Sequence, residues 1–286
     1  MGFITTTIVN NMFGQAYKKV IIVVVVFNLS ACSVVGGLWY ERIDQFIANQ
    51  FLEYASFSNT QENYIRKATQ EFKYWNIKNE LPEYKKLLLQ FRLLDSETRV
   101  GEIDEIYEKG DVLGNRSRNF FVPYLVELCK TLTNKQIEEI EIHFDGLIEE
   151  KRFELGNETK NYQAALEKSF VRFFRLLGVK LNNEQKNTVR LLSSGLEDAR
   201  YQLINDRIKW NQQFVTILVL RQEKDFEQIL TDHINSLSSE DKNTRTVINQ
   251  VTAEILASLD EKQRARFQKR LGVFVTSIDQ ILAREN

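Results

Sequence analysis

Residues that turn a chain are nearly absent from this sequence. Two prolines and twelve glycines among 286 residues make about 5%, against roughly 12% in average proteins. Tight connections between strands depend on such residues, so a sheet-rich fold is closed to this chain. Glu, Lys, Gln, Arg and Leu, all good helix formers, are plentiful. The chain is predicted to be all-α.

Apolar residues recur at intervals of three and four, the period of a helix with one buried face. Trp39, Ile43, Phe46, Ile47, Phe51 and Tyr54 read as a first helix, and Ile65, Ala68, Phe72 and Trp75 as a second. Pro82 suits the first turn of a new helix, which Tyr84, Leu87, Leu88, Phe91 and Leu94 continue. Val100, Ile103, Ile106 and Tyr107 predict a short helix closed by Gly110. A loop around Gly114 and a further helix starting near Pro123 follow. Ile137, Ile140, Phe144, Leu147 and Ile148 make one that stops near Gly156, and Tyr162 to Leu177 one stopped by Gly178. Residues 183–235 suggest a single helix of eight or more turns. Val247, Val251, Ile255 and Leu256 give another, and Phe267 to Leu282 the last. The expectation is eight to ten amphipathic helices in an elongated bundle.

One short pattern marks helix starts. It runs Phe57-Ser58-Asn59-Thr60-Gln61, Leu132-Thr133-Asn134-Lys135-Gln136, Leu181-Asn182-Asn183-Glu184-Gln185, Leu237-Ser238-Ser239-Glu240-Asp241 and Leu259-Asp260-Glu261-Lys262-Gln263. In each, the second residue can accept from the backbone N–H three positions on, and the last can reach back. Losing such a cap typically costs ~1 kcal/mol.

The amino-terminal stretch has a different logic. Lys18 and Lys19 precede eight uninterrupted apolar residues, Val20 to Phe27, and Leu29-Ser30-Ala31-Cys32 follows. A positive segment, a short apolar segment and small residues before a cut are the parts of a secretory signal. Leu29, Ser30, Ala31 and Cys32 resemble the lipobox of bacterial lipoproteins. That resemblance implies diacylglycerol on the Cys32 thiol, cleavage before it and an N-acyl chain, such as palmitate, on the new terminus. Residues 1–31 are then a signal peptide, for which Met12 offers the more ordinary start. Residues 32–38 are a lipidated tether, and 39–286 an all-helical periplasmic domain. The alternative is an uncleaved anchor in the inner membrane, since residues 20–38 carry no charge and approach the roughly 20 that a spanning helix needs. Ser33 stands where an aspartate would favour inner-membrane retention in Gram-negative lipoproteins, so the resemblance implies the periplasmic face of the outer membrane. Trp39 and Tyr40 either seat the body at the headgroups or belong to the buried stripe of the first helix.

Cleavage would remove two lysines and no acid, taking the net charge from −1 to −3. That balance gives no electrostatic reason to expect nucleic acid. Candidate chemistry is sparse. His143 and His233 are the only histidines, and His143 follows Glu139 by four residues, as a ligand pair or an ordinary solvated face would. No phosphate loop, paired-cysteine zinc pattern or nucleophile elbow is visible. Cys129 sits on an apolar face and reads as core. Trp75, Arg200, Arg207 and Trp210 stand out. Arg207 and Trp210, three apart on one helical face, suit either recognition or packing. No catalytic, cofactor or metal residue is assigned.

Leu29-Ser30-Ala31-Cys32-Ser33, Trp39-Tyr40, Trp75 with Leu81-Pro82 and Tyr84, and the run from Arg200 to Leu218 resemble a family of uncharacterised proteobacterial lipoproteins. Where members carry a basic, His-containing run after the tryptophan, this chain has Asn76-Ile77-Lys78-Asn79, which removes any histidine role there. The helix-start pattern is also similar to the Leu-Thr-x-x-Gln signature of periplasmic helical proteins that include stress chaperones. The family resemblance implies a helical envelope lipoprotein and names no reaction; the lipobox, the helical body and the lack of an evident site lead to a non-enzymatic interaction or structural role, and the capping resemblance adds a chaperone-like one. Its partners would be the membrane through the lipid, and an envelope protein or unfolded periplasmic clients. An envelope enzyme with carboxylates in an inter-helix cleft is the alternative.

Overall fold

The computed structural model describes residues 40–157, 161–236 and 242–284. Their order is α1 (Ile43–Leu52), α2 (Asn59–Asn79), α3 (Leu81–Arg92), α4 (Val100–Lys130), α5 (Asn134–Asn157), α6 (Tyr162–Leu176), α7 (Asn183–Ser193), α8 (Arg200–Val219), α9 (Phe226–Asn235), α10 (Lys242–Ala257) and α11 (Glu261–Arg284). The described residues are all-α, without a strand, and hold eleven helices rather than eight to ten. Among them no helix is long and apolar enough to cross a membrane.

The punctuation is partly as expected. Pro82 stands in the first turn of α3, two residues after Glu80, which ends α2 and holds the N-cap position of α3. Gly178 ends the α6 segment with a φ of 81°, a left-handed conformation that glycine adopts without the Cβ penalty.

Two expectations are corrected. The segment from Val100 to Lys130 is one helix, not two with a loop at Gly114. Pro123 lies inside it but faces solvent, where the carbonyl it leaves unpaired meets water. Burial of Ile103, Leu113, Val122 and Val126 outweighs the roughly 1 kcal/mol that each interior glycine costs. Conversely, residues 183–235 form three helices, α7, α8 and α9. At the first break Leu196 turns inward to 6% exposure, while the Gln163 amide lies 3.3 Å from the carbonyls of Ser193, Ser194 and Leu196. At the second, Arg221 donates to the carbonyls of Leu132 and Leu218 and to Asn134 Oδ1. Both breaks are held by hydrogen bonds to distant sequence, the first from the Gln163 side chain and the second from Arg221 of the break itself to the start of α5.

At about 1.5 Å per residue, α4 is roughly 46 Å long, and it runs through two cores. Its first half meets the larger one, where Leu81, Tyr84, Phe174, Val189, Phe267, Leu271 and Phe274 pack together. Its second half supplies Val122, Val126 and Cys129 to the other, with Ile140, Phe144, Leu218, Phe226 and Leu230. Beyond that core α5 and α8 continue as a pair, joined by Ile148, Leu155, Ile204 and Ile208. Tyr40 lies in the larger core at 3% exposure, its hydroxyl donating to Asn76 Oδ1 at 2.6 Å. Tyr40 thus belongs to the buried stripe and is not presented to headgroups; Trp39 lies outside the described residues.

Candidate functional site

Four of the helix-start boxes form as the pattern predicts, at Ser58, Thr133, Asn182 and Asp260; the one at Ser238 lies outside the described residues. Their glutamines do more than cap. Gln136 Nε2 donates to Gln61 Oε1 at 2.7 Å and Gln61 Nε2 to Gln136 Oε1 at 3.2 Å. Each then reaches the backbone ahead of the other's box, Gln61 to the Thr131 carbonyl and Gln136 to that of Ser56. Gln185 and Gln263 repeat this, donating to each other at 3.0 Å and to the carbonyls of Ser258 and Lys180. All four glutamines are buried with both ends of the amide satisfied, the condition for a polar group in an interior. Each clasp locks two helix starts together.

The groups that can meet a ligand gather around the first clasp. The turn after α1 brings Tyr54 over His143 of α5, ring centroids 4.3 Å apart, and against Phe144. Arg207 of α8 faces Tyr54 electrostatically and lies 5.3 Å over the Trp210 ring. Trp210 stacks on Phe214 and on His233 of α9, at 5.2 and 4.7 Å. Two hydrogen bonds fix that stack: Trp210 Nε1 donates to the His233 carbonyl at 3.2 Å, and His233 Nε2 donates to the Trp210 carbonyl at 3.0 Å. Beside it a groove of about 450 Å³ runs between α8 and α9, lined by Gln213, Thr216, Ile217, Ile229, Asp232 and His233 among others.

Burial sets the electrostatics. It pushes the Tyr54 hydroxyl well above the ordinary tyrosine range, against the opposing pull of Arg207. It lowers Arg207 to about 10, with Tyr54 holding it up, and lowers both His143 and His233. Among the described residues no carboxylate lies within ion-pair distance of Arg207. The result is one guanidinium set among the rings of Tyr54 and Trp210, beside the groove between α8 and α9. Cys129 is fully buried in the neighbouring core, its thiol pushed up to about 12 by desolvation, and stays protonated at neutral pH.

The sequence candidates are thus partly united. His143, His233, Arg207 and Trp210 meet through Tyr54, which the sequence reading placed only in a helix stripe. Glu139 is engaged elsewhere, accepting from the Ser56 N–H at 2.6 Å, a bond that holds its carboxyl below the usual range. Arg200 is held bidentately by Asp198, and Trp75 packs on Phe72 and Phe120. Among the described residues no group of three or more His, Cys, Asp or Glu is placed to hold a metal ion. Leu29, Ser30, Ala31, Cys32 and Ser33 lie outside the described residues.

Residues 53–243 match a family described as a family of unknown function, DUF6279. The match covers about two thirds of the chain, and the chain belongs to that family. No curated protein and no solved structure matches it.

Proposed function

We propose that this member of the family is a lipid-anchored protein of the bacterial envelope that binds other polypeptides rather than catalysing a reaction. One observation supports the binding role. Of the eleven large apolar side chains left exposed among the described residues, six lie on α5, α8, α9 and the end of α8: Ile142, Phe153, Tyr201, Val219, Leu220 and Ile229. Ile142 and Phe153 are three helical turns apart on one face of α5. Apolar side chains that gather on one part of a surface mark an interaction site, and these lie on the helices that carry His143, Arg207, Trp210 and His233, or directly follow them. An envelope protein partner, or an unfolded periplasmic client offering apolar segments, fits this surface.

The anchor rests on the sequence. Cys32 carries diacylglycerol and an N-acyl chain after cleavage behind Leu29-Ser30-Ala31, and Ser33 sends the protein to the periplasmic face of the outer membrane. Intact mass of the membrane-extracted protein tests this directly. Residues 32–286 plus acyl chains are expected, and a Cys32→Ala form should lose them. For binding, soluble protein at equimolar ratio should delay aggregation of an unfolded client, and Ile142→Asp with Phe153→Asp should weaken that protection. An unchanged aggregation rate would remove the client-binding role.

A further inference from the structure

Many helix boundaries recur along the chain at an interval of 124 or 127 residues, while the starts of α1 and α6 and of α3 and α8 are 119 apart and the ends of α2 and α7 are 114 apart. The ends of α1 and α6, the caps Ser58 and Asn182, and the starts of α2 and α7 are each 124 residues apart. The ends of α3 and α8, the ends of α4 and α10, and the caps Thr133 and Asp260 are each 127 apart. Both bounds of α5 and α11 also differ by 127, and each helix has 24 residues. A shift of 127 carries α4 onto residues 227–257, a range that holds α9 after its first residue and all of α10. Side chains follow the same shift. Asn59, Gln61, Asn63 and Arg66 recur as Asn183, Gln185, Asn187 and Arg190, and Leu132, Lys135 and Gln136 as Leu259, Lys262 and Gln263.

The packing is reciprocal. Within the first half α2 packs on α1 and α4; within the second, α7 packs on α6 and α10. Between halves, α3 packs on α11 and its counterpart α8 packs on α5. The long helix α4 meets its own counterpart, packing on both α9 and α10. Arg264, early in α11, donates to the Leu94 carbonyl beyond the end of α3, while Arg221, beyond the end of α8, donates to the Leu132 carbonyl ahead of α5. Two packings, of α2 on α3 and of α2 on α11, have no equally extensive mate; contacts that otherwise pair with the halves exchanged are those of an approximate two-fold axis, the self-complementary geometry of a homodimer.

We infer that the chain is one helical unit present twice, joined as a two-fold pair, and that the surface between the halves is a self-association surface whose partner is a copy of the same unit. Fusion fixes the pairing at one to one whatever the concentration. It also frees the halves to differ. Counted back from the ends of α3 and α8, Glu80 and Arg207 hold the same place: a fully buried acid in one half, the cation of the candidate site in the other.

Two full-length chains test this. In one, a protease site replaces residues 158–160 at the join between halves. After folding and cutting, the halves should elute together as a one-to-one complex at micromolar concentration, with an unchanged helical signal. In the other, the order of halves is exchanged. Residues 161–284 come first, and a five-residue linker runs from Arg284 to Tyr40, ends that the Arg284–Glu41 ion pair already brings together. This permuted chain should melt cooperatively within about 4 °C of the parent. Separation of the cut halves, folded or not, overturns the inference, as does a permuted chain that fails to fold while the cut chain stays joined.

Discussion

Gln61 and Gln136 each give the other an amide proton, at 3.2 and 2.7 Å, although 75 residues separate them. Removing either side chain orphans buried groups on the other, a loss of about 1–3 kcal/mol. Gln61→Ala and Gln136→Ala should each lower the unfolding free energy by that order. The double variant should cost clearly less than the sum, as expected for partners in one network. Gln61→Glu should be worse than Gln61→Ala, because it sets a buried carboxylate against two acceptor oxygens, the Thr131 carbonyl and Gln136 Oε1. Denaturant titration of the four proteins checks all three statements.

Glu80 is wholly buried, with Arg116 Nη2 2.8 Å from one oxygen. Burial raises its pKa, and Arg116 only partly opposes this. A raised carboxyl binds its proton more tightly folded than unfolded. Its contribution is therefore complete below the ordinary carboxylate range and is lost as pH rises through the folded value. Glu80→Gln has no such dependence. The melting midpoint of the variant relative to the parent should rise between pH 4 and pH 7, as differential scanning calorimetry at several pH values would show.

His233 has the opposite sign. Burial lowers its pKa, the hydrogen bond to the Trp210 carbonyl opposing, so the neutral ring is favoured in the fold. Its contribution is present above the ordinary histidine range and is lost as pH falls through the folded value. Below about pH 6 the Trp210 stack should loosen. His233→Phe should flatten the change in tryptophan emission across that range.

Arg207 is desolvated without an acidic partner in ion-pair range among the described residues, and its stem lies along Trp210. Methionine keeps most of that apolar length and removes the charge. Arg207→Met is expected to melt at or above the parent temperature while losing client protection in the aggregation assay. A lower melting temperature would mean that the guanidinium is structural.

What the sequence discloses about this fold follows the range of each interaction. Helix starts at Ser58, Thr133, Asn182 and Asp260 were legible because a capping box closes within four residues. The identity of the capping residue and the glutamine determines it wherever the segment lies. Pro82 and Gly178 acted as punctuation for the same local reason. Pro123 and Gly114 did not, since the decision there belongs to side chains such as Val122 and Val126 that find a core from α5, α8 and α9. The breaks in residues 183–235 were hidden because the groups that stabilise them lie outside the segment: Gln163 at the first, and the Leu132 carbonyl and Asn134 side chain that receive Arg221 at the second. In the candidate site, Arg207 and Trp210 could be paired by helical spacing alone. Their meeting with Tyr54, His143 and His233 required knowing how four separate elements pack. The buried glutamines were visible as a pattern but not as partners, because nothing local says which box faces which.

The clasps also set an order of folding. Each joins helix starts 75 or 78 residues apart, and the entropy of closing a loop grows only with the logarithm of its length. The two closures therefore carry nearly the same cost. Helices such as α5 and α11 can form from local contacts in microseconds, while the glutamine pairs must wait for distant segments to meet. The expected order is thus the same in both halves: two polar locks that close over helices already made.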